Sequence, residues 1–210
     1  MPNHVANILK INEDATKVAA FLEAVKSEES AFDFNKIVPM PETFIKYDTT
    51  NHPNGRGLVI GEQLNPWDKN SPIVTNELIK EFKKATKEQA KMYGCVGWYD
   101  WSRHYWGTKW KAYDIEVEVD EIRFNTAWNA PMPIYVAIAD LFPDYDFEVV
   151  YADEDYGYNC GMVSIEHGDI FINNPDGGSD EAMDLYFETH PYNEGELIKD
   201  EKGKWVWREE

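Results

Sequence analysis

The chain has 210 residues, a formal net charge of −19, 43 % apolar residues and 14 % aromatic ones. That apolar share is ample for a packed core and excludes a disordered acidic tail, while the charge disfavours direct contact with nucleic acid or an anionic membrane. The best apolar run, Pro131 to Phe142, holds Asp140 and falls short of the roughly 18 residues that a membrane span requires.

In chain order, Val5 to Ile11 reads as a strand, and Asn12, Glu13 and Asp14 supply a cap and first-turn acids. The helix they start carries Val18, Phe21, Leu22 and Val25 on one stripe. Residues 32–72 hold five prolines and three glycines, which predicts loops and short extended pieces. From Thr75 to Met92 a helix sets Leu78, Phe82, Ala85 and Gln89 on one face and Lys80, Lys84, Lys87 and Lys91 on the other, with Gly94 at its end. Alternation over Tyr113 to Val119 and from Ile122 to Trp128 predicts two paired strands. Pro131 and Pro133 open a helix bearing Ile134, Ala137, Ile138 and Leu141, and Phe147, Val149 and Tyr151 resume the strand period. A hairpin follows around His167-Gly168-Asp169, then a loop at Asn173 to Asp180, a helix to Phe187, and a closing strand Trp205-Val206-Trp207.

Charge is divided unevenly along this plan. Residues 141–201 hold seventeen acids and one lysine, whereas residues 1–111 hold fourteen acids and fifteen bases. Self-repulsion makes such a lobe costly to fold, but it steers cationic partners. Tyr145, Tyr151, Tyr156, Tyr158, Tyr186 and Tyr192 are interleaved with the acids, and tyrosine is enriched at binding surfaces. Solubilising a protein rich in aromatic rings is the plainer use of the same charge.

Four tryptophans lie between Gly97 and Trp110. Rings of that size serve either a core or a ligand platform, and Trp106, Trp110 and Trp128, beside the best strands, are expected to cover one sheet face, with the Lys109 stem laid on an indole. Catalytic signatures are weak. His4, His52, His104, His167 and His190 have no paired helical spacing. His104 with Arg103 and Asp100 reads first as a structural histidine, and Cys95 as a small buried thiol. With Cys160 as the other cysteine, neither a disulfide framework nor metal-ligand spacing is present, which suits a reducing cytoplasm. The oxygen-rich loop Asn173 to Glu181 fails the EF-hand pattern. No cofactor or metal is expected.

Three stretches resemble a family of phage- and plasmid-encoded proteins with a ferredoxin-like domain, the YubB type, which has no established activity. They are Met1-Pro2-Asn3-His4-Val5 with Asn7; Phe34 with Ile37 to Glu42; and Trp98-Tyr99-Asp100-Trp101 with Trp106-Gly107-Thr108-Lys109-Trp110. Phe124 to Trp128 with Pro131 and Pro133 is similar to the family's strand and helix start. The resemblance implies an α+β fold, a ferredoxin-like split βαβ sheet with helices on one face, over residues 1–150, interrupted by an insertion at about 32–95. The acidic residues 151–210 are expected as a β-rich C-terminal extension packed on it.

The leading expectation is a non-enzymatic interaction protein of a mobile element, acting in the cytoplasm of a bacterial host. Its acidic surface would occlude a basic host protein, in the sharpest version a nucleic-acid-binding defence complex of the CRISPR kind blocked by nucleic-acid mimicry. Asp144, Asp146, Glu148, Asp153, Glu154 and Asp155 are the expected charged contacts, with Tyr156 and Tyr158 as anchors. Two alternatives stay open: a small enzyme with its site among Trp98, Trp101, His104, Trp106 and Lys109, and a virion assembly component. Stable self-association through the lysine stripe and the acidic lobe would signal the second, and a homodimer is open as well.

Overall fold

The computed structural model describes residues 3–46, 58–65, 69–193 and 197–208. The chain forms two compact units, one from residues 1–38 with 105–210 and one from residues 39–104. The insertion expected at about 32–95 therefore begins and ends later in the chain.

In the first unit, β1 (His4–Ile11) leads into α1 (Ala15–Val25), which Asp14 caps by accepting from the backbone N–H groups of Thr16 and Lys17. A short helix α2 (Phe34–Ile37) follows. The second unit contributes α3 (Glu42–Lys46), α4 (Asn76–Tyr93) and most of α5 (Trp98–Tyr105). Back in the first unit come β2 (Tyr113–Val117), β3 (Glu121–Ala127), α6 (Met132–Leu141) and β4 (Phe147–Asp153). The chain then adds β5 (Gly161–Glu166), β6 (Asp169–Asn173), α7 (Asp180–Thr189), β7 (Leu197–Lys199) and β8 (Trp205–Trp207).

The main sheet is six-stranded and antiparallel, in the order β2-β3-β1-β4-β5-β6. Its first four strands, with α1 and α6 as connections, have the split βαβ arrangement of ferredoxin-like folds. The boundary expected at residue 150 falls inside β4, and β5 and β6 continue the same sheet. Of the residues expected as an extension packed on the domain, β5 and β6 are part of the sheet itself, while α7, β7 and β8 lie outside it.

Residues alternate between the two faces of β1. Val5, Asn7, Leu9 and Ile11 point to the face covered by α1 and α6, where Phe21 packs on Phe142 and Phe147. Lys10 points to the other face, where its ammonium meets Glu188 of α7 at 2.8 Å. There Ala152 packs with Ala182, Met183, Tyr186 and Phe187 in a second small core that Leu197 closes. Helices therefore cover both faces, which corrects the one-sided expectation. An amphipathic helix announces its buried stripe in sequence, but not which side of the sheet receives it. Trp205-Val206-Trp207 pairs with β7 in a separate two-stranded sheet.

The β5–β6 turn is made by His167 (φ 51°) and Gly168 (φ 86°), the mirror-image turn that suits the twist of paired strands. The tryptophan-rich segment is anchored through its middle. Trp106 is buried edge-on to Phe34 and donates its indole N–H to the Val38 carbonyl at 2.8 Å. Thr108 donates to the Ala127 carbonyl and accepts from the Ala127 N–H, holding the end of β3. Between them Gly107 has φ 78°, and a side chain there would meet Pro133 Cδ at 2.6 Å. In the second unit Phe44 packs against Tyr93 and Trp101, and Gly94 closes α4 in the left-handed conformation.

One polar residue sits inside the apolar face. Asn7 is 1 % exposed, and its amide donates to Val5 O (2.8 Å) and Thr126 Oγ1 (3.0 Å) while its oxygen accepts from the Tyr135 hydroxyl (2.8 Å). Replacing Asn7 by leucine leaves the Tyr135 hydroxyl without its acceptor in apolar surroundings, while the Thr126 hydroxyl keeps the Asn129 carbonyl at 2.9 Å, and is expected to cost about 2 kcal/mol. Adding Tyr135→Phe to that variant should recover part of the loss; urea denaturation of the two single variants and the double variant measures it, and strict additivity would contradict the network.

Candidate interaction site

At one end of the main sheet β1 begins while β3 and β4 finish, so residues distant in sequence become neighbours. Antiparallel register puts His4 opposite Ala127 and Val5 opposite Asp153. The His4 backbone N–H donates to Glu154 Oε1 at 3.2 Å, and the His4 ring hydrogen-bonds through Nδ1 with the Tyr113 hydroxyl, itself 3.3 Å from the Thr126 carbonyl. Burial, then the charges of Asp114 and Glu154, push the Tyr113 phenol up to about 12, so it stays neutral.

Beside this chain Lys109 holds its ammonium 4.3 Å from the Trp110 ring centre and 5.1 Å from that of Trp128. Trp128 has φ 71°, an unusual conformation for so bulky a residue. Two bonds fix it there: its N–H donates to the Asn3 carbonyl (2.9 Å), and its own carbonyl accepts from Asn159 Nδ2 (3.1 Å).

The loop after β4 carries the exposed acids. Asp153 is 5 % exposed and turns inward, accepting from the Asp155 N–H at 2.8 Å and from Asn159 Nδ2 at 2.9 Å. It organises the turn instead of presenting charge. Glu154 and Asp155 are exposed. Tyr156 also turns inward, 4.7 Å from Tyr186 between ring centres, and so belongs to the small core. Tyr158 remains 56 % exposed with its ring laid on a glycine pair. A Cβ on Gly177 would stand 2.7 Å from Tyr158 Cδ1, and Gly178 (φ 75°) donates to the Gly157 carbonyl at 2.8 Å. Exposed Asp176 precedes that pair.

Asp144, Asp146 and Glu148 stand at the opposite end of β4, a strand length of roughly 20 Å away. Asp144 is exposed there. Asp146 accepts from the His167 N–H (3.0 Å) and pins the β5–β6 turn, while Glu148 lies 3.5 Å from Lys10 Nζ. The eight expected contacts therefore divide: Glu154, Asp155 and Tyr158 share one exposed end, Asp144 is exposed at the other, and Asp146, Glu148, Asp153 and Tyr156 serve the fold.

Trp101 and Trp106 are 2 % and 3 % exposed, and His104 is exposed. Burial raises the Cys95 and Cys160 thiols above their usual range. In the oxygen-rich loop, Asn173 donates to Glu181 at 2.7 Å and Asn174 accepts from Tyr151 at 2.8 Å. Among the described residues, no group of three or more His, Cys, Asp or Glu could hold a metal ion, and no described helix is long and apolar enough to cross a membrane. Sequence reasoning missed His4, Tyr113, Asn159 and Asp176. Only strand pairing brings the first two together, and no spacing announces it.

Residues 105–199 match the model of a family described as the ferredoxin-like domain in Api92-like protein. The match begins ahead of β2 and runs through β7, so a ferredoxin-like assignment covers the acidic part of the chain together with β2, β3 and α6. Among solved structures, the crystal structure of a protein api92 from Yersinia pseudotuberculosis is similar over 85 % of this chain and 99 % of that one, with 10 % identity and a TM-score of 0.45. No curated protein matches the sequence.

Tyr113 supplies a direct check on the site. Its raised pKa means that its contribution to stability is present below about pH 10 and is lost as pH rises towards about 12. The difference between the ultraviolet phenolate titrations of the wild type and Tyr113→Phe should have its midpoint near 12; a midpoint near 10 would show the ring to be solvated.

Proposed function

We propose that the chain is a non-catalytic interaction protein of a mobile genetic element that engages a basic protein of its bacterial host. The exposed end formed by Glu154, Asp155, Asp176 and Tyr158 makes the contact. The observation that carries this reading is Tyr158. An apolar ring left 56 % exposed, yet seated on Gly177 and flanked by unburied carboxylates, is an aromatic anchor whose ordering is completed before binding. Carboxylates around it raise the encounter rate with Lys- and Arg-rich surfaces. The mobile-element origin rests on the sequence resemblance described above.

Nucleic-acid mimicry is the stronger form of the same reading. It requires both acidic ends of the sheet to be engaged together, about 20 Å apart, a length that spans roughly six phosphates of one DNA strand. A host defence complex with a Lys- and Arg-lined groove is the partner this form fits.

Reversing Glu154, Asp155 and Asp176 to lysine should weaken binding to the host protein captured by the tagged chain by about 10- to 100-fold at low salt, with the remaining affinity less sensitive to salt. Gly177→Ala should weaken it through displacement of Tyr158 with the charge unchanged. Affinity indifferent to charge reversal and to salt would overturn the reading. Reversing Asp144 and Asp169, exposed at the other end, distinguishes the mimic: a full effect there marks two-ended engagement, and no effect confines the contact to the Tyr158 end.

A further inference from the structure

At the β2 side of the sheet, α7 leaves part of its own face uncovered. Two adjoining cavities of about 420 and 200 Å³ share Glu116, Arg123 and Thr189 and form one groove. Glu116 and Glu118 line the strand side, His190 and Tyr192 the helix side, and Ala6 and Ile8 the floor.

Several features of the groove favour a positive charge. Glu116 in β2 and Glu118, the residue just past its end, are both exposed and two positions apart. Helix α7 ends at Thr189 beside them, so the negative end of its dipole adds to theirs. Arg123, the cation already present, has its Nε 2.6 Å from Glu121 Oε1 and stands opposite Glu116 in the register, so its charge is matched within the sheet. Tyr192 is fully exposed and offers a ring face to a cation.

The strand beside the groove is an edge. β2 is the outermost strand, and among the described residues no strand pairs with its outward edge. A register shift between Tyr113 and Glu116, with Asp114 at φ 50°, limits the free edge on one side, and the turn after Val117 limits it on the other. On the opposite face from the glutamates, Val117 is 42 % exposed, and Val119 in the turn is 86 % exposed. The edge therefore presents acid on one side and apolar surface on the other, in the two-residue alternation of a strand.

We propose that β2 accepts a short extended segment of a partner protein in which basic and apolar residues alternate. The segment adds a strand at the free edge, sets its Lys or Arg side chains into the groove against Glu116 and Glu118, and lays its apolar residues against Val117 and Val119. The groove and edge use none of Glu154, Asp155, Asp176 and Tyr158, so either contact can fail without the other.

The test uses the full chain and a blocked synthetic peptide of alternating lysine and valine. Binding should protect the amides of residues 113–119 from hydrogen exchange. A peptide of the same composition with its lysines in one block, a backbone N-methylated version, and the chain carrying Glu116→Lys and Glu118→Lys should each weaken binding by about tenfold or more. Equal binding of the block or N-methylated peptide would reduce the effect to general charge attraction and overturn the proposal, as would no binding of the alternating peptide. Protection of residues 113–119 that depends on protein concentration without peptide would also overturn it, assigning the edge to a second copy of the chain.

Discussion

The fold depends on β1 being the strand between strands. It pairs with β3 on one side and β4 on the other, and its buried face carries Val5, Leu9 and Ile11 with a single amide, Asn7, among them. A buried amide is tolerated only when its partners are fixed, and here those partners come from β3 and α6. Its geometry accepts only one register, because a slip of one residue would turn Asn7 outward and Lys10 inward. The same register carries His4 to Glu154 and Tyr113, so the exposed end is a by-product of how the core is aligned.

Local features of this plan were legible in the sequence wherever a short-range rule controls them. Period-two runs gave the strands, and Asp14, Thr75 and Gly94 marked helix ends where their side chains or left-handed backbone now act. The tyrosine-rich acidic stretch led to Glu154, Asp155 and Tyr158. It misled at Asp153 and Tyr156, because a carboxylate or phenol in a turn looks alike in sequence whether it faces water or neighbouring N–H groups and rings. Side-of-sheet information was lacking for α7, since a stripe of apolar residues fits either face. The partnership of His4, Tyr113 and Glu154 spans most of the chain and follows from topology alone.

Electrostatically, the acidic segment is less uniform than its composition. Lys10 and Lys199 draw Glu148, Glu188 and Asp184 into ion pairs, and His167 sits beside Asp146. Such exposed pairs contribute little each, but they subtract from the field that a partner would meet. Exposed carboxylates that remain include Glu154, Asp155 and Asp176 beside Tyr158 and Asp144 and Asp169 at the other end of the sheet, and outside the segment Glu116 on the edge strand β2. Charge and geometry thus single out the same places, which a count of carboxylates along the chain could not show.

The compact unit of residues 39–104 interrupts the sheet between α2 and β2 in the order of synthesis. Both neighbours of β1 are translated more than a hundred residues after it, so the first strand leaves the ribosome long before anything can pair with it. Closing so wide a loop is entropically slow and places this unit among the slower-folding topologies. The intervening unit has its own aromatic cluster, so it can consolidate first. The amino-terminal segment then waits as an unpaired apolar strand, the period in which a chaperone or a misplaced neighbour has most opportunity to bind it.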